Sequence, residues 1–81
     1  MDKAEIRAAV VKVITAIAPD ISVDELIPEI DLRADLDIDS MDFLNIIVGL
    51  HEKLQVDIPE ADYPRLTTLA AFIDYLSDKL G

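Results

Sequence analysis

The sequence predicts an all-α fold: a small four-helix bundle of three longer helices and one short one, with a long loop between the first and second helices. Three observations predict it. Three stretches repeat apolar residues at helical spacing. No stretch alternates as a half-buried strand does. The 81 residues include 27 Ile, Leu and Val but no Cys or Trp, so the core is aliphatic and has no disulfide staples. A chain this short buries about 60% of its unfolded surface, so residues 1–81 are read as a single domain without a deep catalytic cavity. With 52% hydrophobic residues it has the apolar surface to fold despite its charge.

The first helix is read over residues 2–17. Ile6, Ala9, Val10, Val13, Ile14 and Ile17 form one stripe. Asp2 and Glu5 make a capping box, and Pro19 stops the helix. Residues 18–39 form the long loop, which Ile21, Leu26, Ile27, Ile30, Leu32 and Leu36 should pin to the core. Ser22 and Glu25 suggest one capped helical turn inside it. The second helix is read over residues 40–54, and Gln55 to Pro59 is a turn carrying Val56 and Ile58. Around Glu60–Leu66 only a turn or two of helix is expected, because Pro64 is tolerated only near a helix start. Thr68 should cap the last helix, along which Leu69, Phe72, Ile73, Leu76 and Leu80 repeat. Gly81 ends the chain.

Charge narrows the functions. With 17 Asp+Glu against 7 Lys+Arg, the net charge is −10. Nucleic acid and anionic membranes are poor partners for such a body, and basic protein surfaces are natural ones. Repulsion among these charges predicts a fold that firms up with salt or divalent cations, and a monomer. Ala16-Ile17-Ala18 looks like a signal-peptidase site, but Lys12, Asp2 and Glu5 disagree with a leader. No run approaches the ~20 apolar residues of a membrane span. A soluble, cytoplasmic protein is expected.

The second helix carries two apolar arcs. At about 100° per residue from Ser40, residues Phe43, Ile46, Ile47, Leu50 and Leu54 span roughly 240° to 340°. That is the core face. Met41, Leu44 and Val48 span roughly 40° to 100°. This second arc either packs under the 18–39 loop or stands exposed as a docking patch, where a soft Met suits several partners. Ser40 opens the helix. Spacing alone favours it as the N-cap, yet an exposed hydroxyl at a helix N-terminus also favours an attached phosphate.

Other chemistries fail on the residues. Asp35, Asp37 and Asp39 match the first, third and fifth places of an EF-hand, but Ser40 and Ile46 stand where that loop needs Gly and Glu. His51 is the only His, so no His-based metal site forms, and no metal is expected. It lies about three turns from Ser40, too far for a hydrolase pair, and is read as a solvated helix residue. Two glycines make no phosphate loop.

The string Leu36-Asp37-Ile38-Asp39-Ser40-Met41-Asp42 resembles the attachment site of acyl carrier proteins. Val56-Asp57-Ile58-Pro59 after the second helix, Leu66-Thr67-Thr68-Leu69 before the last, and Ile73-Asp74-Tyr75-Leu76 within it extend the resemblance over the whole chain. The resemblance implies the four-helix fold and a non-catalytic carrier. In it, Ser40 receives 4′-phosphopantetheine from coenzyme A through a phosphopantetheinyl transferase, which Asp39 helps to engage. The arm's thiol carries acyl groups as thioesters, so the cofactor brings the thiol that this chain lacks. Met41, Leu44, Val48 and Glu52 fall at the family's docking positions, which favours the exposed second arc. Ile46, Leu50, Ile58, Leu66 and Phe72 fall where the family's acyl chains slip between the helices. The implied partners are acyl ligases, synthases or acyltransferases of fatty-acid, lipid or polyketide synthesis with basic docking surfaces.

Asn45 and His51 stand where the family is usually acidic, Phe43 and Phe72 where it is usually smaller, and Pro64 interrupts the third helix. These departures point to a specialised carrier. The rivals are an aminoacyl carrier, D-alanyl or peptidyl, and an unmodified acidic interaction domain. Peptide-synthetase carriers usually have Gly-Gly before the serine, which Asp37-Ile38-Asp39 does not match, whereas D-alanine carriers share Asp-Ser-Met.

Overall fold

Asp2 starts the first helix. Its carboxylate accepts the Glu5 N–H at 2.9 Å, and the Glu5 carboxylate in turn accepts the Asp2 N–H. The expected capping box is present, with Asp2 just outside the helix. The computed structural model describes residues 1–80, and Gly81 lies outside the described residues. Three α-helices result: α1 (Lys3–Ile17), α2 (Ser40–Leu54) and α3 (Leu69–Leu80). The short fourth helix is a 3-10 helix, Glu60–Arg65. Pro64 sits inside it, where the tighter winding of a short 3-10 piece tolerates it. Thr68 caps α3 as expected, its Oγ1 accepting the Ala71 N–H at 3.1 Å. No strand forms among the described residues, only one isolated bridge between Asp31 and Thr68.

The core lies where α1, α2 and α3 meet. Ile6, Val10 and Ile14 of α1, Ile46 and Leu50 of α2, and Leu69, Phe72 and Leu76 of α3 are fully buried there. No buried side-chain polar atom among the described residues lacks a partner, so the apolar stripes carry the packing. Phe43 adds the upper end of the core. Its ring lies 5.8 Å from Tyr63 edge-on and 6.2 Å from Phe72.

The 18–39 loop is pinned as expected, with one exception. Leu26 and Leu32 are buried, and Ile21, Ile30 and Leu36 pack partly against the core. Ile27 instead stands 51% exposed. The Ser22–Glu25 box forms and caps a single 3-10 turn, Val23–Glu25. The loop is then stitched to the start of α3. Leu32 N–H donates to the Thr67 carbonyl at 3.0 Å, Leu69 N–H to Ile30 at 3.1 Å, and Ala70 N–H to Pro28 at 2.9 Å. Arg7 Nη2 ties it to α1 through the Leu26 carbonyl at 3.1 Å.

Gly49 sets how closely α1 and α2 approach. A Cβ at this position would meet Val13 Cγ1 at 2.9 Å. Val13 is buried and β-branched, so it yields poorly. Alanine gains roughly 1 kcal/mol of helix propensity over glycine, against a typical overpacking cost of ~1–3 kcal/mol. Gly49→Ala is therefore expected to destabilise by about 1 kcal/mol. In a Val13→Ala background the clash is gone, and the same change should become neutral or stabilising. A double-mutant cycle by urea denaturation measures this coupling. Strict additivity would mean the two side chains do not interfere.

Tyr75 gives the fold an alkaline limit. It is buried on α3 and donates its hydroxyl to Asp62 of the 3-10 helix. Burial first, then the bond to Asp62, push its phenol up to about 12. The unfolded chain ionises it near pH 10. Its contribution is thus complete below about pH 10 and is lost as pH rises through the folded value. Lys3, raised by its 2.8 Å bond to Asp74, works in the same direction. Tyr75→Phe should flatten the fall of Tm between pH 9 and 12 without abolishing it. A mutant profile parallel to wild type would rule out this assignment.

Candidate functional site

Two non-glycine residues with positive φ bracket α2, Asp37 (φ 55) and Gln55 (φ 54). The left-handed turn at Asp37, a residue that tolerates it, lets Ile38 fold inward and be buried. Asp39 is then placed to cap α2, its Oδ1 accepting the Asp42 N–H at 2.8 Å. This corrects the expectation that Ser40 is the N-cap. Ser40 is the first helical residue, with its side chain exposed. The capping duty rests on Asp39, and the Ser40 hydroxyl is released from the backbone.

The carboxylates of Asp31 and Asp35 are likewise committed to backbone. Asp31 N–H donates to Asp35 Oδ2 at 2.9 Å, and Asp31 Oδ1 accepts the N–H groups of Arg33 and Ala34 at 3.0 and 2.8 Å. Asp35 N–H returns to the Asp31 carbonyl at 2.9 Å. These bonds close a tight turn over residues 31–35 with Arg33 inside it. From there Arg33 Nη2 donates to Ser40 Oγ at 2.9 Å. Its guanidinium lies 5.0 Å over the Phe43 ring, a contact of roughly 0.5–1 kcal/mol at an exposed position. A shallow cleft of about 330 Å³ opens at this point, lined by Arg33, Ser40, Phe43, Leu44, Glu60 and Tyr63. No motif in the sequence singles out Arg33. The available signal was that it is the sole base between Glu29 and Asp42.

The two arcs of α2 separate cleanly. Phe43, Ile46, Ile47 and Leu50 are buried and Leu54 half-buried. Met41, Leu44 and Val48 are 67%, 44% and 45% exposed. The alternative that the second arc packs under the loop is thus excluded. Glu52 is exposed four residues beyond Val48, so Met41, Leu44, Val48 and Glu52 follow one line down the helix from Ser40.

His51 is an exposed residue of α2, as expected, but it is not free of contacts. Its Nδ1–H donates to the Val56 carbonyl at 2.8 Å, and Asp57 Oδ1 lies 3.5 Å away. The ring therefore clasps the 55–59 turn against the end of α2, which its neighbours in sequence do not announce. Beside it lies a groove of about 470 Å³ between α2 and the following turn, lined in part by Val48, His51, Ile58 and Tyr63. Of the acyl-lining candidates, Ile58 alone is half-exposed and borders this groove. Ile46, Leu50, Leu66 and Phe72 are sealed in the core.

Residues 7–76 match the family model described as the phosphopantetheine attachment site. The chain belongs to the acyl carrier protein family. It is 33% identical over 76 residues to an acyl carrier protein of Rubrobacter xylanophilus, covering 94% of this chain and 93% of that one. It is 32% identical over 72 residues to one from Thermosynechococcus vestitus, covering 86% and 89%. With the acyl carrier protein of Syntrophobacter fumaroxidans the identity is 33% over 75 residues, covering 90% and 93%. The matched region runs from within α1 to within α3, so it takes in the whole α2 site. The family's cofactor is 4′-phosphopantetheine. An exposed hydroxyl with a guanidinium beside it and an open cleft at its foot fits a phosphate-linked arm. No helix among the described residues is long and apolar enough to cross a membrane.

Proposed function

We propose that this chain is an acyl carrier whose attachment residue is Ser40. One observation carries the reading. Family membership coincides with an exposed serine hydroxyl, freed from capping, at the head of a line of exposed apolar side chains. In modification, Ser40 Oγ forms a bond to the coenzyme A phosphorus that bears pantetheine. The pyrophosphate bond to 3′,5′-ADP breaks, and the serine proton leaves to a base of the transferase. The arm, when bound, supplies the thiol on which an acyl group rides as a thioester. The protein contributes no catalytic group. It is a single-domain handle, with Asp39 fixing the helix start that a transferase engages and Met41, Leu44, Val48 and Glu52 offered to enzymes with basic docking surfaces. The cytoplasm, with its coenzyme A, is the place this reading assigns.

Incubation with a phosphopantetheinyl transferase and coenzyme A is expected to raise the intact mass by one phosphopantetheine group. Ser40→Ala should abolish the rise while leaving the far-UV CD spectrum unchanged, since Asp39 retains the cap. A mass gain on Ser40→Ala, or none on wild type, overturns the assignment. Loading of the modified protein by a fatty-acid ligase rather than an amino-acid ligase then separates acyl from aminoacyl cargo.

A further inference from the structure

Arg33 is the only base among residues 29–42, a stretch that also holds Glu29, Asp31, Asp35, Asp37, Asp39 and Asp42. Coulomb attraction alone would pair it with a carboxylate. The ion pairs among the described residues are Lys3–Asp74 and His51–Asp57, and Arg33 is in neither. Its guanidinium is directed instead at a neutral hydroxyl, Ser40 Oγ, at 2.9 Å.

Two features hold it there. The 31–35 turn fixes the backbone of Arg33, and it occupies Asp31 Oδ1 and Asp35 Oδ2 with N–H donors from the main chain. Phe43 lies beneath the guanidinium at 5.0 Å and is itself fixed by Tyr63 and Phe72. A guanidinium has five N–H donors in a planar fork, and a hydroxyl accepts only one or two of them. The arrangement therefore holds more cationic hydrogen-bonding capacity than its present partner uses.

We propose that Arg33 is the built-in counter-ion of a phosphodiester on Ser40. The inference rests on Ser40 being the attachment residue. Esterification of Oγ puts an anionic phosphate within reach of a guanidinium that already reaches Oγ. A neutral contact becomes a charge-assisted one, of the kind for which the Arg fork is suited. Phe43 holds the guanidinium from the core side at 5.0 Å, and the cleft that Arg33 and Ser40 share with Leu44, Glu60 and Tyr63 leaves room for the phosphate beside it. Arg33 is thus a positioning residue that anchors the root of the arm against α2. A lysine, with a compact point charge, reproduces the charge but not the planar fork of donors.

The test compares apo and transferase-modified protein, with intact mass confirming modification. Two signals are read: the Arg33 side-chain 15N–1H resonances and the phosphodiester 31P resonance. In wild type, modification is expected to shift the Arg33 signals and slow their exchange with water. The 31P resonance should move by more than its linewidth in Arg33→Gln, with Arg33→Lys in between. An Arg33 with a purely structural role would change Tm but not the 31P resonance. Modified wild-type protein with unchanged Arg33 signals overturns this inference and leaves Ser40 as the attachment residue. Absence of any mass gain overturns both. Should Arg33→Gln fail to fold, the wild-type apo and modified spectra decide the matter alone.

Discussion

Phe72→Ala is expected to destabilise the fold by roughly 3–5 kcal/mol, the cost of removing a large aromatic side chain from a packed core. Phe72 is completely buried on α3, and its ring supports Phe43 from below. Domains are stable by only about 5–15 kcal/mol in total, and a chain of 81 residues belongs near the lower end of that range. The variant should therefore populate unfolded chain measurably in water. Urea denaturation should show the midpoint falling with the slope unchanged. Phe72→Leu, which keeps much of the volume, should recover most of the loss. The damage should also reach the site. With Phe72 gone the Phe43 ring loses its support, and the Arg33 guanidinium lying over it loses its platform. A cost below about 1 kcal/mol would show that the core closes around the vacancy and is not organised by this ring.

What the sequence made legible was local or periodic. Both capping boxes, Asp2 with Glu5 and Ser22 with Glu25, depend on residues three apart and form as written. The buried arc of α2 follows from helical periodicity alone. Exposure of Met41, Leu44 and Val48 did not follow from periodicity, because a second apolar arc packs under a loop as readily as it faces a partner. Only the resemblance to the family's docking positions favours exposure. Spacing points to Ser40 as the N-cap rather than Asp39 because the two are adjacent and both competent caps, and a one-residue shift decides between them. The exposure of Ile27 is not legible because the loop has no period from which to read a face. Gly49, Arg33 and the His51 clasp depend on how separate segments meet. Val13 lies thirty-six positions before Gly49 (49 − 13), and no local pattern announces such a contact.

Leu44→Asp and Asn45→Asp add the same charge at adjacent positions of α2, and they should act in opposite directions on partner recognition. Leu44 belongs to the exposed apolar line, whereas Asn45 is an exposed polar residue beside it. Exposed substitutions of this kind usually change stability by less than about 0.5 kcal/mol, so Tm should barely move in either variant. Buried in a partner, Leu44 would be an apolar anchor. Replacing an anchor typically costs about 2 kcal/mol or more, which is over tenfold at about 1.4 kcal/mol per decade. The kcat/KM for modification by a phosphopantetheinyl transferase is therefore expected to fall at least tenfold in Leu44→Asp, and the loss should persist at high salt. Asn45→Asp adds an acid next to the line without removing apolar surface. Toward a basic partner it should raise the association rate modestly, and salt should erase the gain because steering is screened. The pair thereby separates apolar anchoring from charge. If both variants slow modification equally, charge alone governs docking and the Met41–Leu44–Val48 line is an exposed stripe without a partner. If neither changes it, the transferase grips the protein elsewhere, and α2 serves only to present Ser40.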